Sequence, residues 1–299
     1  MQPIIPHLWY DTEAKEAVAF YVDLFGGKLD WTYTITDTPS GDSDLIQFQL
    51  GDMTLAAISA GPYFKLNESM SLMVNVASKD EVTRLYQALS EGGRILMPLG
   101  EYPFSPYYVW LEDRFGLSWQ LSYAPDLVKS YQFDICLLFS QEQVGLAQPM
   151  LDYYKDKLPQ ASVGQLSYYG EGEAAVEAAK LNYAELLIAG QKMIVMDHGY
   201  GGEASFNEAF SLMVYVDSQD ELNFYYDLLS AVPEAEMCGW VKDQFGISWQ
   251  IVPRMLMEAY DTASQETVKA VNDAVLTMKR LDFATIQTIL NYSRLAGTG

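Results

Sequence analysis

SLMVNVASKDEV, Ser71 to Val82, returns as SLMVYVDSQDEL, Ser211 to Leu222, and DRFGLSWQL, Asp113 to Leu121, returns as DQFGISWQI, Asp243 to Ile251. The chain is a tandem duplication, and a repeat fixes the unit of folding. The first motif pair is offset by 140 residues and the second by 130, so the later copy has lost ten residues between the motifs. The repeats divide the chain into a first unit at 1–125, a second at 126–253 and a shorter segment at 254–299. Each unit has an ordinary domain size.

A chain of 299 residues with 49% hydrophobic content can bury a sizeable core. Its formal charge of −22 argues against nucleic acid and anionic membranes as partners, since both would be repelled. The N-terminus MQPIIPHLWYD lacks the basic start and apolar run of a signal peptide, and no stretch has the apolar length of a membrane span. A cytoplasmic location is expected. Cys136 and Cys238 fall in the second unit without CxxC spacing, and two reduced, buried cysteines are expected.

Within the first unit the apolar stretch Ile4 to Tyr10 reads as a strand. Asp11 or Thr12 is placed to cap a helix carrying Ala14, Ala17, Val18 and Tyr21 at helical spacing, and Gly26-Gly27 ends it. Strand patterns follow near 28–36, 45–50 and 53–59, the last two joined by the turn signal Gly51-Asp52. A second βαβββ series begins with a strand at 70–76 and the capping box Ser78-Lys79-Asp80-Glu81, and ends with strands near 94–99, 107–111 and 117–123. The second unit repeats the plan, with the box Ser218-Gln219-Asp220-Glu221, a turn at Gly190-Gln191, and a first helix expected to be longer and interrupted by Pro149. Its ten missing residues lie between Ala231 and Gly239, where a strand or loop should be shortened. After 254 the pattern predicts two docked helices, capped by Ser264 and Asp282.

These residues resemble a known family. EAKEAVAFYVDLFGGKL, GPYFKLNESMSLMV, DRFGLSWQL and the tail AVLTMKRLDFATIQ are similar to the PhnB-like branch of the vicinal oxygen chelate superfamily, with glyoxalase I, bleomycin-resistance proteins and extradiol dioxygenases. The resemblance spans nearly the whole chain. It implies an α+β fold of two tandem glyoxalase-like domains, each of paired βαβββ modules forming a curved mixed sheet around a cavity, plus a C-terminal helical segment. Such domains pair, so a duplicated chain can supply its own pair, and a homodimer is left open. The name 3-demethylubiquinone 3-methyltransferase, often attached to this branch, would require an S-adenosylmethionine site, and no strand, glycine-rich loop and helix combination here supplies one.

Alternation along strands separates the faces. Leu72, Val74, Val76, Leu117, Trp119 and Leu121 point towards the helices, whereas Ser71, Met73, Asn75, Ser118, Gln120 and Ser122 point into the cavity, with Ile5, His7 and Trp9. By the resemblance, metal ligands would come from the first and last strands of each module: Ile5, about Ala57, Ser71 and Gln120 in unit one, and Asp134, about Met196, Ser211 and Gln250 in unit two. Three of the first four cannot hold a divalent cation, and Asp134 is the one carboxylate of the second set. Asp197-His198-Gly199 reads as a turn leaving a strand, and the repeated pairs Asn67-Glu68 and Asn207-Glu208 as fixing the loop before an inward strand.

The aromatic residues Trp9, Tyr63, Phe64, Tyr102, Phe104, Tyr107, Tyr108 and Trp110 can border a small-molecule pocket or form the seam between units. The expected function is small-molecule binding or sequestration without metal or cofactor, with His7, Trp9, Ser71, Met73, Trp110 and Gln120 as ligand-binding candidates. The rival is a divalent-metal-dependent lyase or dioxygenase-like enzyme at the domain junction, using ligands such as His7, Asp134 and Glu68.

Overall fold

A computed structural model describes residues 4–38 and 41–296. Four modules follow one another. The first comprises strand β1 (Ile5–Tyr10), helix α1 (Ala14–Phe25), β2 (Lys28–Thr38), β3 (Gly41–Leu50) and β4 (Met53–Ser59). The second comprises β5 (Met70–Val76), α2 (Lys79–Ser90), β6 (Arg94–Tyr102), β7 (Ser105–Glu112) and β8 (Ser118–Tyr123). The third comprises β9 (Gln132–Phe139), α3 (Ala147–Lys157), β10 (Ala161–Tyr168), β11 (Leu181–Ile188) and β12 (Gln191–Asp197). The fourth is reduced to β13 (Phe210–Val216), α4 (Gln219–Leu229), β14 (Trp240–Lys242) and β15 (Ser248–Pro253).

Each sheet is assembled from both repeats. Sheet A has the order β14-β15-β13-β1-β4-β3-β2 and joins the first module to the fourth. Sheet B has the order β10-β11-β12-β9-β5-β8-β7-β6 and joins the third to the second. The joints are antiparallel and equivalent: β1 runs beside β13 with Ile5 opposite Met213, and β9 beside β5 with Asp134 opposite Met73. The two modules of one repeat meet on the other face of the sheets, through the helices. Tyr21 and Phe25 of α1 pack on Trp119 of β8 at ring distances of 5.3 Å.

The repeated DxFGxSWQ motif holds this packing together. The buried Asp113 carboxylate accepts the N–H groups of Phe115 (2.8 Å) and Leu117 (3.1 Å), the Trp119 indole (2.8 Å) and the Tyr21 hydroxyl (2.7 Å). Asp243 accepts the same set in the second repeat: Phe245 and Ile247 N–H, the Trp249 indole and the Tyr154 hydroxyl. A turn, a core tryptophan and a helix from the neighbouring module are thereby tied to one carboxylate, which satisfies polar groups that burial would otherwise leave unpaired.

Several local expectations are corrected. Neither Asp11 nor Thr12 caps α1; the Ala14 N–H is met by the Ser59 hydroxyl of β4 at 3.1 Å, because the helix starts against that strand's end. Pro149 does not interrupt α3. It sits in the first turn, where no intrahelical N–H bond is lost. The missing ten residues remove a whole strand: where the second module has β6, the fourth has only a short turn at Pro233–Ala235. Among the described residues the tail contains three helices, α5 (Arg254–Thr262), α6 (Gln265–Val275) and α7 (Phe283–Ala296), where the sequence pattern predicts only the last two. Ser264 and Asp282 do cap the other two, accepting from the N–H groups of Thr267 and Thr285.

Candidate functional site

The inner faces of the sheets, turned away from α1 to α4, are where alternation puts polar side chains. At the centre of face B, Gln120 of β8 donates to the Ser71 hydroxyl of β5 (2.8 Å) and accepts from the Tyr108 hydroxyl (2.6 Å). The Trp110 indole donates to Ser118 (2.8 Å), and half-exposed Met73 lies between Gln120 and Asp134. The buried thiol of Cys136 stands opposite Ser71; burial and the Asp134 carboxylate push its pKa well up, so it stays protonated at neutral pH.

The other half of face B is charged. The Asp134 carboxylate is buried and receives Lys192 Nζ (3.1 Å), Gln132 Nε2 (3.0 Å) and Asn75 Nδ2 (3.3 Å). Burial raises its pKa above the usual carboxylate range, with Lys192 opposing. Lys192 also lies 3.6 Å from Glu185, which accepts the Tyr183 hydroxyl at 3.0 Å. Burial works to raise the Glu185 carboxyl too, but the Tyr183 hydroxyl, the Gln165 N–H and Lys192 outweigh it and hold it low. A cleft of about 410 Å³ adjoins this group, bordered by Asp134, Lys192, Gln132, Lys129 and Asp52.

Face A repeats the plan and closes it. Gln250 donates to Ser211 (3.0 Å), and Ser211 lies 3.5 Å from His7 Nδ1, in the place Cys136 has on face B. His7 is buried and meets Trp240 edge-on at 5.6 Å; burial pulls its pKa down to about 3, leaving it neutral. The C-terminal helices cover this face. The Tyr260 ring of α5 stacks on Trp31 (5.6 Å, 26°) and contacts Tyr33, while its hydroxyl donates to Asn272 of α6 (2.7 Å). Where the lost strand would have run, tail backbone takes its place: Cys238 and Gly239 donate to Met278 and Lys279 carbonyls at 2.8 and 2.9 Å.

The six candidate residues are therefore divided. His7 and Trp9 lie on face A, and Ser71, Met73, Trp110 and Gln120 on face B. The aromatic set divides as well: Trp9 packs on Phe64 and Trp240, whereas Tyr102, Phe104 and Tyr108 cluster on sheet B. Ala57 points to the helices, and Ala56 holds the inner position beside His7. His7, Asp134 and Glu68 are not brought together; Glu68 pairs with Arg94 at 3.3 Å. Asn67 and Asn207 form a reciprocal seam, donating to the Ser205 and Lys65 carbonyls of the opposite repeat and accepting from Ser69 and Ala209 N–H. Asp197 is a buried cap, accepting from the N–H groups of Gly145, Ala147, Lys180 and Leu181. Lys192, Glu185 and Tyr183 were not singled out from sequence, although alternation on either side of the Ala189-Gly190 turn places them on one face.

The paired βαβββ modules define the vicinal oxygen chelate fold. Over residues 2–122 and 131–252 the chain matches the family model described as 3-demethylubiquinone-9 3-methyltransferase, and it belongs to that PhnB-like family. The PhnB protein from Bacillus cereus is 31% identical over 41% of this chain and all of its own, with a TM-score of 0.39. Glyoxalase I from Zea mays has 11% identity, covering 88% of this chain and 98% of its own, with a TM-score of 0.55. A Bacillus subtilis protein described provisionally as a dioxygenase has 13% identity over 88% of each chain, with a TM-score of 0.50. No curated protein matches the chain.

The superfamily implies a divalent ion, and the donors present do not suit one. The first and last strands bring together Cys136, Ile194, Ser71 and Gln120 on face B, and His7, Ala56, Ser211 and Gln250 on face A. Asp134, the expected ligand position two residues before Cys136 and across Met73 from Gln120, is the one carboxylate beside these sets, and it is committed to Lys192, Gln132 and Asn75. Among the described residues no group of three or more His, Cys, Asp or Glu is placed to hold a metal ion. Nor is any described helix long and apolar enough to cross a membrane.

Proposed function

We propose that the protein binds or sequesters a small molecule in the cytoplasm without a metal ion, and that face B is its pocket. One observation carries this reading: on two faces built to the same plan, the chain's own tail packs Tyr260 against Trp31 and Tyr33 of A, whereas B sets Met73, Asn75, Trp110, Met196 and Tyr183 around buried hydrogen-bonding groups. Apolar and aromatic surface with a few oriented polar groups is the composition of a ligand pocket. A thermal-shift screen of aromatic and electrophilic compounds tests it. A stabilising compound should be found whose effect disappears in Met73→Trp, which fills the centre of face B from a half-exposed position. Absence of any stabilising compound, or an effect untouched by Met73→Trp, would remove face B as the pocket. A stoichiometric divalent ion found by elemental analysis would overturn the metal-free reading.

A further inference from the structure

The centres of the two faces differ in the aim of one side chain. Trp110 on β7 and Trp240 on β14 hold equivalent places, opposite Gln120 and Gln250. On face B the Trp110 indole donates to Ser118 at 2.8 Å. On face A the counterpart of Ser118 is Ser248, and Trp240 does not reach it. Its ring meets His7 edge-on at 5.6 Å and Trp9 at 6.3 Å instead. The Ser248 hydroxyl is thereby buried with no hydrogen-bond partner among the described residues.

A buried hydroxyl without a partner lowers stability, and a turn of the Trp240 side chain onto Ser248 would remove that loss. Trp240 is half-exposed on a strand of three residues, and Trp110 on Ser118 shows the end point of such a turn. The side chain thus has two arrangements, one covering His7 and one bonded to Ser248. In the second, a place bordered by the His7 imidazole and the Trp9 ring is uncovered. Trp9 is fixed there, with its indole donating to Gly61 at 2.8 Å and its ring packed on Phe64 at 5.1 Å. His7 meets Ser211 through Nδ1, so Nε2 is its second polar atom, able to give or take one hydrogen bond according to the tautomer. A charged ligand set between a neutral imidazole and indole rings would lose its water without gaining a counter-charge.

We propose that face A holds a second ligand site, over His7, with Trp240 as its gate and Ser248 as the latch of the open state, and that it takes an uncharged aromatic ring bearing one hydroxyl. The site is separate from face B, and either can stand without the other. 4-Fluorophenol, followed by fluorine NMR on the full chain carrying Met73→Trp, tests it, because that substitution fills face B and leaves face A to take the probe. 4-Fluorotoluene, which lacks the hydroxyl, should bind about fivefold or more weaker, and equal binding of the two would overturn the hydroxyl assignment. Trp240→Val removes the gate and keeps a strand-forming residue, so 4-fluorophenol should bind about tenfold tighter once the closed population no longer competes. Ser248→Ala should weaken the probe about fivefold where Trp240 is present and leave it unchanged beside Trp240→Val. Equal weakening in both backgrounds, or no tightening in Trp240→Val, overturns the gate, and no binding in any of these chains overturns the site. Should Trp240→Val fail to fold, the indole N–H spectrum of the chain that keeps Trp240 decides. The probe should carry one indole resonance downfield, towards a hydrogen-bonded position, and Ser248→Ala should abolish that movement; an unmoved spectrum overturns the gate. Without any probe, Ser118→Ala should lower the thermal unfolding midpoint and Ser248→Ala should not, since only Ser118 has a partner to lose. An equal fall in both would show Ser248 to be bonded already, by a buried water, and overturns the latch.

Discussion

Faces A and B share a backbone plan and a central hydrogen bond, Gln250 to Ser211 on one and Gln120 to Ser71 on the other. They differ in what lies above. Loss of ten residues removed the strand corresponding to β6 and left β14 only three residues long. Backbone groups at Cys238 and Gly239 are answered by the tail at Met278 and Lys279, and the same tail carries Tyr260 onto Trp31. One deletion thus freed an edge and seated the segment that closes face A. The lesson is that a duplicated scaffold can keep both copies of its core while its two inner faces acquire different coverings, so repeated motifs report packing more directly than chemistry.

The strongest way to break the equivalence of the two cores is to remove the tryptophans. Trp119→Ala and Trp249→Ala should each destabilise by about 3–5 kcal/mol in urea unfolding, because each deletes a fully buried ring and takes one of its four donors from the buried Asp113 or Asp243 carboxylate. A cost near zero for either would mean that the repeats are not equally packed. A smaller effect separates the faces. Tyr260→Ala should cost about 2–4 kcal/mol, from a ring buried between Trp31, Tyr33 and the Asn272 hydrogen bond, and should leave the affinity of any face-B ligand unchanged. A parallel loss of face-B binding would show the two faces to be coupled.

Much of this comparison was legible in sequence. Period-two alternation puts Ser71, Met73 and Gln120 opposite Leu72, Val74 and Trp119 on their strands, and the structure has those faces. The capping serines, the hairpin turns and the βαβββ order are local signals of the same kind. Which modules share a sheet is not local: His7 meets Ser211 across 204 residues, and nothing in either strand names its partner. Alternation gives a face but not a sheet, which is why one candidate list held residues of both sites. The cap of α1 came from Ser59, 45 residues away. Helix α5 is nine residues long, starts directly after a strand and has no side-chain cap, so no start signal marks it. Asp134 was visible as a carboxylate, but its meaning rests on Lys192, which only the β9–β12 pairing brings to it.

The finest distinction between the repeats is electrostatic. Burial pushes the Asp243 carboxyl up to about 6, against the hydrogen bonds it accepts from Tyr154, Ile247, Trp249 and Phe245, and it raises Asp113 as well. In an unfolded chain the group titrates near its ordinary value of 3.8, so between about pH 4 and 6 the folded protein binds more protons than the unfolded one. Its contribution to stability is therefore complete below about pH 4 and is lost as pH rises through about 6, a decline of about 1–3 kcal/mol. Asp243→Asn cannot titrate and should lack this decline, although it will be less stable throughout for want of acceptors. Urea unfolding of both proteins at matched pH cancels the other carboxylates, including Asp134, which titrate in each. The difference in stability should narrow as pH rises from 4 to 7. Two parallel curves would place Asp243 ionised in the folded state across that range and make its four donors strong enough to offset its burial.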